Sequence, residues 1–490
     1  MSRVINDTYE TLSSLPVGSL SAQTLMAILL FGVTVSLVLF RKASLRIPLS
    51  SHAGECKGTV ASGDLAEERN LNKDREFGEW NPVKFRYPSI EAYPQKLAQI
   101  KPIPYRPFRW GAYHVTMGIR SMPWSDWIEL DKDHGAYHRI KSHRLKTRGQ
   151  AAVRVLSDQA NAEVVKGGGE AAVELVHELA EYLSRRYPGE FQVIRHSKFV
   201  SLAGSAFCDW GWEDLPPIQT VTITSLDVSY QLPLSVDDGI RATERAMEIA
   251  GLMIQDDLAL MIEGVDGRYY FQAGSICLPG FWRMQDKIGQ PLDDIHITGN
   301  VPQYKEKLQT SLERFFRRLP VDKPVIRNNY FIQTNRRESG AHELNVGEDA
   351  DAIVDPEELA WAKSTLGSED AYEHGSVRRN TPRNMIKAEA IGDADVEWIR
   401  LRSERQTLRR LPRSGAVVFT IRTYLTPVTT LGREKGVPGR MASAVRSWTD
   451  DVGEYKGKDR GGWWGPLLKY LDECHAAQGA GGAEEKGYPL

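Results

Sequence analysis

The stretch LALMIEGVDGRYYFQAGSICL, residues 258–278, decides the fold class. Residues 258–263 and 268–278 are two apolar, β-rich runs on either side of Gly264-Val265-Asp266-Gly267, and Asp-Gly is a strong signal for the tight turn of a hairpin. Hairpin strands run antiparallel, so an antiparallel sheet is predicted. Working outward, residues 191–202 and 220–230 are also β-rich, with Thr220, Thr222 and Thr224 alternating with Val221 and Ile223. Residues 325–333, 396–406 and 416–425 add three more expected strands. Between them, residues 170–186 (EAAVELVHELAEYLSRR) repeat Val173, Val176, Leu179, Ala180 and Leu183 at helical spacing, which predicts an amphipathic helix with a structural His177. Residues 303–318 read as a second helix and residues 282–295 can form a third. Strands and helices do not alternate with a βαβ period, so the class is α+β rather than a doubly wound sheet.

The chain has 490 residues, and about 150 residues per domain suggests about three units, although one large elaborated domain is also allowed. Its 62 Lys+Arg against 64 Asp+Glu leave a net charge of -2, which provides no basic field for collecting nucleic-acid phosphates. With 41% hydrophobic and 26% charged residues the composition is that of a globular protein, not a collagen-like, wholly disordered or multi-span chain. Cys56, Cys208, Cys277 and Cys474 have no CxxC or Cys/His zinc spacing, so neither a disulfide scaffold nor a zinc module is expected.

Residues 11–40 carry no charge, and LMAILLFGVTVSLVLF at residues 25–40 stops at Arg41-Lys42. Counted from residue 20, the run is long enough to cross a hydrocarbon core of about 30 Å as a helix. A signal peptide and a buried helix are the rival readings, but only Arg3, set against Asp7 and Glu10, precedes the apolar run, which speaks against the signal peptide. Arg41, Lys42 and Arg46 follow it, which places the bulk of the chain on the cytosolic side. The expected organisation is a short segment (1–19), a transmembrane anchor (20–40), a flexible tether (41–80), a folded domain (81–431) with a polar insertion at about 337–395, and a C-terminal extension (432–490).

No GxGxxG opens a helix after a strand, and GxxxxGK[ST], GxSxG and HExxH are all missing, so the self-contained nucleotide, hydrolase and zincin chemistries are not encoded. The Gly167-Gly168-Gly169 run reads as a flexible loop. Three segments remain. In ICLPGFWRMQDKIGQPLDDIHITGNVP, residues 276–302, His296 lies between Ile295 and Ile297 near Asp293 and Asp294. Such a histidine can offer a neutral imidazole nitrogen to a metal or haem iron, or can be an ordinary core or capping residue. In PVIRNNYFIQTNR, residues 324–336, Asn328, Asn329 and Asn335 suit turns as well as a site. In WIRLRSERQTLRRLP, residues 398–412, a strand would put Arg402, Glu404 and Gln406 on one face and Leu401, Ser403 and Arg405 on the other. The first face joins a cation, a carboxylate and an amide, which could bind a carboxylate, move a proton or hold a cationic amine; a salt-bridged solvated face is the plain alternative.

ICLPGFW (276–282), the K-x-G-x-x-L-x-x-I-H run (287–296) followed by Val301-Pro302, Phe315-Phe316, VIRNNYFI (325–332) and RSERQTLRRLPRSGAVVFTIRTYL (402–425) together resemble the haem-dependent oxidative N-demethylase family. RWGAYHVTMGIRSM (109–122) resembles its fungal branch, also described as the HRQ family. The likeness covers about residues 105–431. It implies a PAS-like α+β fold, an antiparallel sheet with flanking helices around a b-type haem, and NADPH-driven oxidative removal of an N-methyl group as formaldehyde. It also implies His296 as the axial iron ligand, Arg402 and Arg405 as haem-binding residues with an arginine on a propionate, and Glu404 and Gln406 as catalytic residues. Tyr330 and its neighbouring Asn residues are secondary candidates. Since no nucleotide fingerprint is present, electrons would come from a separate flavin or iron–sulfur reductase. The anchor would suit a small amine or lipophilic metabolite at an internal membrane such as the endoplasmic reticulum. Other readings stay open: a haem sensor or carrier without turnover on the same fold, an anchored interaction protein with no cofactor, and thiolate ligation through Cys208 or Cys277.

Overall fold

A computed structural model describes residue 72 and residues 74–158, 163–197, 215–334, 359–362, 368–370, 393–458 and 460–479. The expected span at 20–40, most of the tether, most of the insertion and Cys208 lie outside the described residues. Among the described residues no helix is long and apolar enough to cross a membrane.

The architecture is α+β. A seven-stranded sheet is built from β1 (Arg120–Ser121), β2 (Val153–Val155), β6 (Asp257–Glu263), β7 (Tyr269–Ser275), β8 (Val325–Thr334), β9 (Ile399–Arg410) and β10 (Val417–Pro427), in the order β1-β8-β9-β10-β6-β7-β2. Every adjacent pair is antiparallel. The β6–β7 hairpin turns at the expected Asp-Gly: Gly267 has φ +81° and its N–H donates to the Gly264 carbonyl at 2.9 Å. A second sheet joins β3 (Phe191–Arg195), β4 (Ile218–Ile223) and β5 (Val228–Gln231). The run expected as one strand over 220–230 therefore breaks into two, because Thr224–Leu226 curls and Asp227 takes a left-handed φ of 51°, a conformation aspartate tolerates.

Helices α1 (His134–Arg148), α2 (Gly169–Arg186) and α3 (Ala242–Met253) pack with the sheet. Val173, Val176, Leu179, Ala180 and Leu183 of α2 are all buried in one core with Leu258, Leu260 and Val418 of the sheet. The preceding glycine run is in part the loop expected from sequence, with Gly167 and Gly168 outside any helix or strand and Gly169 opening α2, and its backbone is closely packed. A Cβ on Gly167 would sit 2.6 Å from the Leu156 carbonyl oxygen, and one on Gly168 would sit 2.6 Å from that of Gln272, so close backbone approach demands glycine at both. The opposite sheet face carries Ala259, Met261, Phe271, Leu408 and Val417, packed with Met284, Tyr304 and Leu312. The stretch 282–295 supplies a single 3-10 turn and then the short helix α4 (Leu292–Thr298), while Tyr304–Leu308, a wide π turn, leads into α5 (Gln309–Arg318). Four C-terminal helices follow, α6 (Val428–Arg433), α7 (Val437–Arg446), α8 (Asp450–Tyr455) and α9 (Trp464–Gln478), and bury Val437, Met441, Trp463 and Leu467 against Tyr330, Ile332 and Leu401.

Strand β9 is buried on both faces although it reads IRLRSERQTLRR, because its cations are paired. Arg405 reaches Glu129 at 3.1 Å, Arg409 pairs with Glu178, and Arg410 donates to the carbonyls of Leu319 (2.7 Å) and Gly415 (2.6 Å). On β10, Arg422 reaches Asp131 at 2.7 Å. The β9–β10 turn needs Gly415, with φ +71°, since a Cβ there would come 2.3 Å from the Trp80 ring, whose indole N–H caps the Pro412 carbonyl at 2.9 Å.

Beside this turn, buried Glu174 accepts from the backbone N–H groups of Arg413 (2.7 Å) and Ser414 (2.8 Å). Burial, reinforced by the Glu178 charge, pushes its carboxyl up to about 7. The folded chain thus holds the proton more tightly than the unfolded one, whose glutamates release it near pH 4.3. The proton linkage supports folding below that pH and is lost as pH rises towards 7, which costs about 2–4 kcal/mol over the window. Urea unfolding at pH 5 and pH 8 is expected to show this loss in the wild type and a flatter response in Glu174→Gln. The difference between the two proteins cancels the contribution of buried His134 and His177.

Candidate functional site

Directly opposed residues of antiparallel strands share a face, so the register identifies the side chains that meet. Gln406 lies opposite Arg327, Glu404 opposite Asn329 and Arg402 opposite Phe331 on β8. Across the other neighbour, Gln406 opposes Ile421 and Glu404 opposes Thr423 on β10. The period-2 alternation of β9 thus produces a polar row on the face that also carries Leu408 and Val417. Within it Glu404 accepts from the Gln406 side-chain amide at 2.9 Å and more weakly from that of Asn329 at 3.5 Å. Its other oxygen is 3.8 Å from Arg402 Nε. Glu404 is only 7% exposed, so its side chain is held by these amide and guanidinium neighbours.

Arg402 is fully enclosed. Its Nη1 donates to the Leu359 carbonyl at 2.7 Å and its Nη2 to that of Leu278 at 2.9 Å. Gly280, at φ +73°, presses its backbone onto the guanidinium, and a Cβ there would stand 2.9 Å from Nε. Two donors committed to carbonyls make Arg402 a support for Glu404 more than an anion receptor. Arg405 projects from the opposite face, where it meets Glu129, the Tyr105 hydroxyl at 3.1 Å and the carbonyls of Asp126 and Trp127. Tyr330 and Asn328 also lie on that face, opposite Ser403 and Arg405, and the Tyr330 hydroxyl accepts from Trp448 Nε1 at 3.3 Å. The structure therefore brings Arg402, Glu404 and Gln406 together and keeps Arg405 apart. Asn335 lies outside the described residues.

His296 sits on α4, which starts after Pro291 and carries Asp293 and Asp294 in its first turn. Its Nδ1 meets the Leu292 carbonyl one helical turn back at 2.6 Å, which makes Nδ1 the donor and leaves Nε2 with a free lone pair. The ring stacks on Tyr304, with centroids 4.7 Å apart and planes inclined by 10°. Burial pushes the imidazole down to about 4, so it is neutral near pH 7. His296, Lys287 and Arg327 are densely surrounded by protein, and yet each keeps surface that water can touch. Half-buried Trp282, Ile295, Ile297, Val301 and Phe419 pack on the core of the same sheet face. Arg327 lies within electrostatic reach of both His296 and Glu404, so the histidine and the polar row share one neighbourhood.

These residues fit a haem. A neutral imidazole with a fixed tautomer offers an unblocked Nε2, apolar side chains suit a porphyrin face, and the polar row supplies an internal carboxylate, Glu404. Cys277 does not suit thiolate ligation: it is fully buried beside Asp257, and burial pushes its thiol up to about 12, which keeps it protonated. A cleft of about 660 Å³, lined by Trp80, Leu156, Lys166, Glu174 and Arg413 among others, contains none of the five site residues read from sequence.

Sequence reading missed two groups. Arg327 stands in VIRNNYFI beside the asparagines that drew attention, and only the β8–β9 register sets it against Gln406. Lys456, 5% exposed, donates to the Tyr330 carbonyl at 2.7 Å under the rings of Tyr330, Phe331 and Trp448. Burial lowers its amine to about 7, against the opposing pull of Glu404. No local signal marks a lysine that follows a short helix as a neighbour of a strand more than fifty residues upstream.

Comparison with known proteins finds one family model, described as haem-dependent oxidative N-demethylase, alpha subunit-like, which matches residues 118–467. The match takes in His296, Arg327, the whole polar row and the C-terminal helices as far as the start of α9.

Proposed function

Because the chain belongs to the haem-dependent oxidative N-demethylase, alpha subunit-like family, we propose that it is an oxidoreductase that removes an N-methyl group from an amine with dioxygen and two electrons. The balanced reaction is R₂N–CH₃ + O₂ + NADPH + H⁺ giving R₂NH, formaldehyde, water and NADP⁺. The observation that carries the reading is His296, with Nδ1 tied to the Leu292 carbonyl and Nε2 unpaired, linked through Arg327 to the neighbourhood of the buried carboxylate of Glu404.

His296 would hold the iron of a b-type haem, and the half-buried Trp282, Ile295, Ile297 and Phe419 would cover the porphyrin. The bound haem supplies dioxygen activation and oxidation of the carbon next to the amine nitrogen. The remaining work falls to the chain itself. Glu404 has two tasks: its carboxylate attracts an alkylammonium and moves a proton at Oε1 or Oε2. Gln406 and Asn329 fix the rotamer of Glu404 by donating to Oε2. Arg402, held by two carbonyls, stands 3.8 Å from Glu404 Oε1 and keeps that carboxyl group in position within the row. The oxidised carbon leaves as formaldehyde when the carbinolamine C–N bond breaks, with a proton delivered to nitrogen.

Electrons would arrive from NADPH through a separate flavin or iron–sulfur reductase. Residues 20–40 would anchor the chain in a membrane, the endoplasmic reticulum being the natural site, with the catalytic part cytosolic and the substrate a small or lipophilic amine. The test is an absorption spectrum of the full chain expressed with haem supply, joined to formaldehyde release from N-methyl amines. The wild type is expected to show a Soret band and to release formaldehyde. Glu404→Gln is expected to keep the band while turnover falls by roughly 10²–10⁴. No Soret band in the wild type would overturn the proposal, and a band without formaldehyde for any amine would favour a sensor or carrier.

A further inference from the structure

We propose that Arg327 is the carboxylate-binding residue of this site, a role that rests on the haem reading above and extends it. Arg402, Arg405, Arg409, Arg410 and Arg422 of the same sheet each meet carbonyls or carboxylates. Arg327 differs. Its Nε is sealed from solvent and has no acceptor, and its guanidinium makes no hydrogen bond or ion pair with any described residue. The nearest anion that acts on it is Glu404, which lies beyond ion-pair distance and is already engaged by Gln406 and Asn329.

Desolvation lowers the pKa of this group, yet a guanidinium stays protonated in any protein, so Arg327 is a cation without a protein counter-ion in contact. A half-buried charge with a sealed, unpaired Nε is costly in the empty protein, and an incoming anion relieves it. The planar fork of an arginine matches a carboxylate in a bidentate geometry. A single cation with Glu404 nearby favours a monoanion over a phosphate. Two carboxylates could enter here: a propionate of the haem, or the carboxylate of an N-methylated amino acid. In the second case the unpartnered Gln406 Oε1 and the Glu404 carboxylate would receive the ammonium end.

The test uses the full chain and its Arg327→Met and Arg327→Lys variants, titrated with haem and with haem dimethyl ester and followed by absorption. If a propionate is the ligand, the wild type prefers the free acid, and Arg327→Met loses that preference by roughly ten- to a hundredfold. If a substrate carboxylate is the ligand, haem binding is unchanged. N-methylglycine, titrated against haem-loaded protein, then weakens about tenfold or more in Arg327→Met while dimethylamine does not. Either result supports the proposal. Arg327→Lys, which keeps the charge without the fork, is expected to fall between the two and gives the same reading should the methionine variant fail to fold. In urea, haem-free Arg327→Met is expected to be at least as stable as the haem-free wild type, the opposite of what an ion-paired structural arginine would give. A variant that binds haem with both preferences unchanged overturns this inference alone, whereas a wild type that takes up no haem overturns the functional reading together with it.

Discussion

His296→Ala is expected to fold and to lose its Soret band, with haem affinity down by on the order of 100-fold or more; changes in the outer partners of a metal ligand alone cost about 10–100-fold. The chain should tolerate the change because the imidazole makes little of the fold. Its hydrogen bond runs to a carbonyl of its own short helix, and its ring stacks on Tyr304, a contact worth about 0.5–1.5 kcal/mol. Absorption of the variant after haem titration, beside urea unfolding of the haem-free protein, separates the two effects. An intact Soret band in a folded His296→Ala protein would move the ligand elsewhere. Added imidazole should restore part of the band if the alanine leaves a ligand-sized gap.

Glu178→Ala is expected to lower the unfolding free energy by about 3–5 kcal/mol, because it strands the Arg409 guanidinium inside the protein. Arg409 has no exposed surface, and its Nε and Nη1 already lack acceptors. What remains without Glu178 is the Tyr87 hydroxyl at 2.6 Å and the ring faces of Trp127, Trp124 and Tyr87 at 4.3, 4.8 and 5.1 Å. Those rings soften the loss by about 1–2 kcal/mol and cannot replace a carboxylate. Urea denaturation should also show that Glu178→Ala combined with Arg409→Met is more stable than Glu178→Ala alone, since the double variant removes the charge that the single one strands. If the single variant were as stable as the wild type, the pair would not be holding α2 to the sheet.

Much of the candidate site was legible because it lies on one strand. Alternation along residues 402–406 separates Arg402, Glu404 and Gln406 from Arg405 by geometry alone, and the strand has that alternation. Arg327 was not legible, since its role depends on a pairing across more than seventy intervening residues and on Glu404 being engaged by Gln406 and Asn329. The commitment of Arg402 to the carbonyls of Leu278 and Leu359 was equally hidden, because carbonyls belong to all residues and mark none.

The sequence by itself determined the α+β class, the antiparallel hairpin at Asp266-Gly267, helix α2, and through its motifs the family, because each of these rests on local periodicity, turn chemistry or side-chain identity. Tertiary structure alone decided the rest. Helix α1, HGAYHRIKSHRLKTR, shows little apolar stripe; it packs inward because Lys141 donates to the Gly251 carbonyl at 3.0 Å and Arg144 to Glu369 at 2.8 Å, partners that only the fold brings near. The physical reason is the same for α1, for the five paired arginines of β9 and β10, and for the bare Arg327: whether a charge can be buried depends on what stands opposite it, and that is a property of the assembled sheet rather than of the strand.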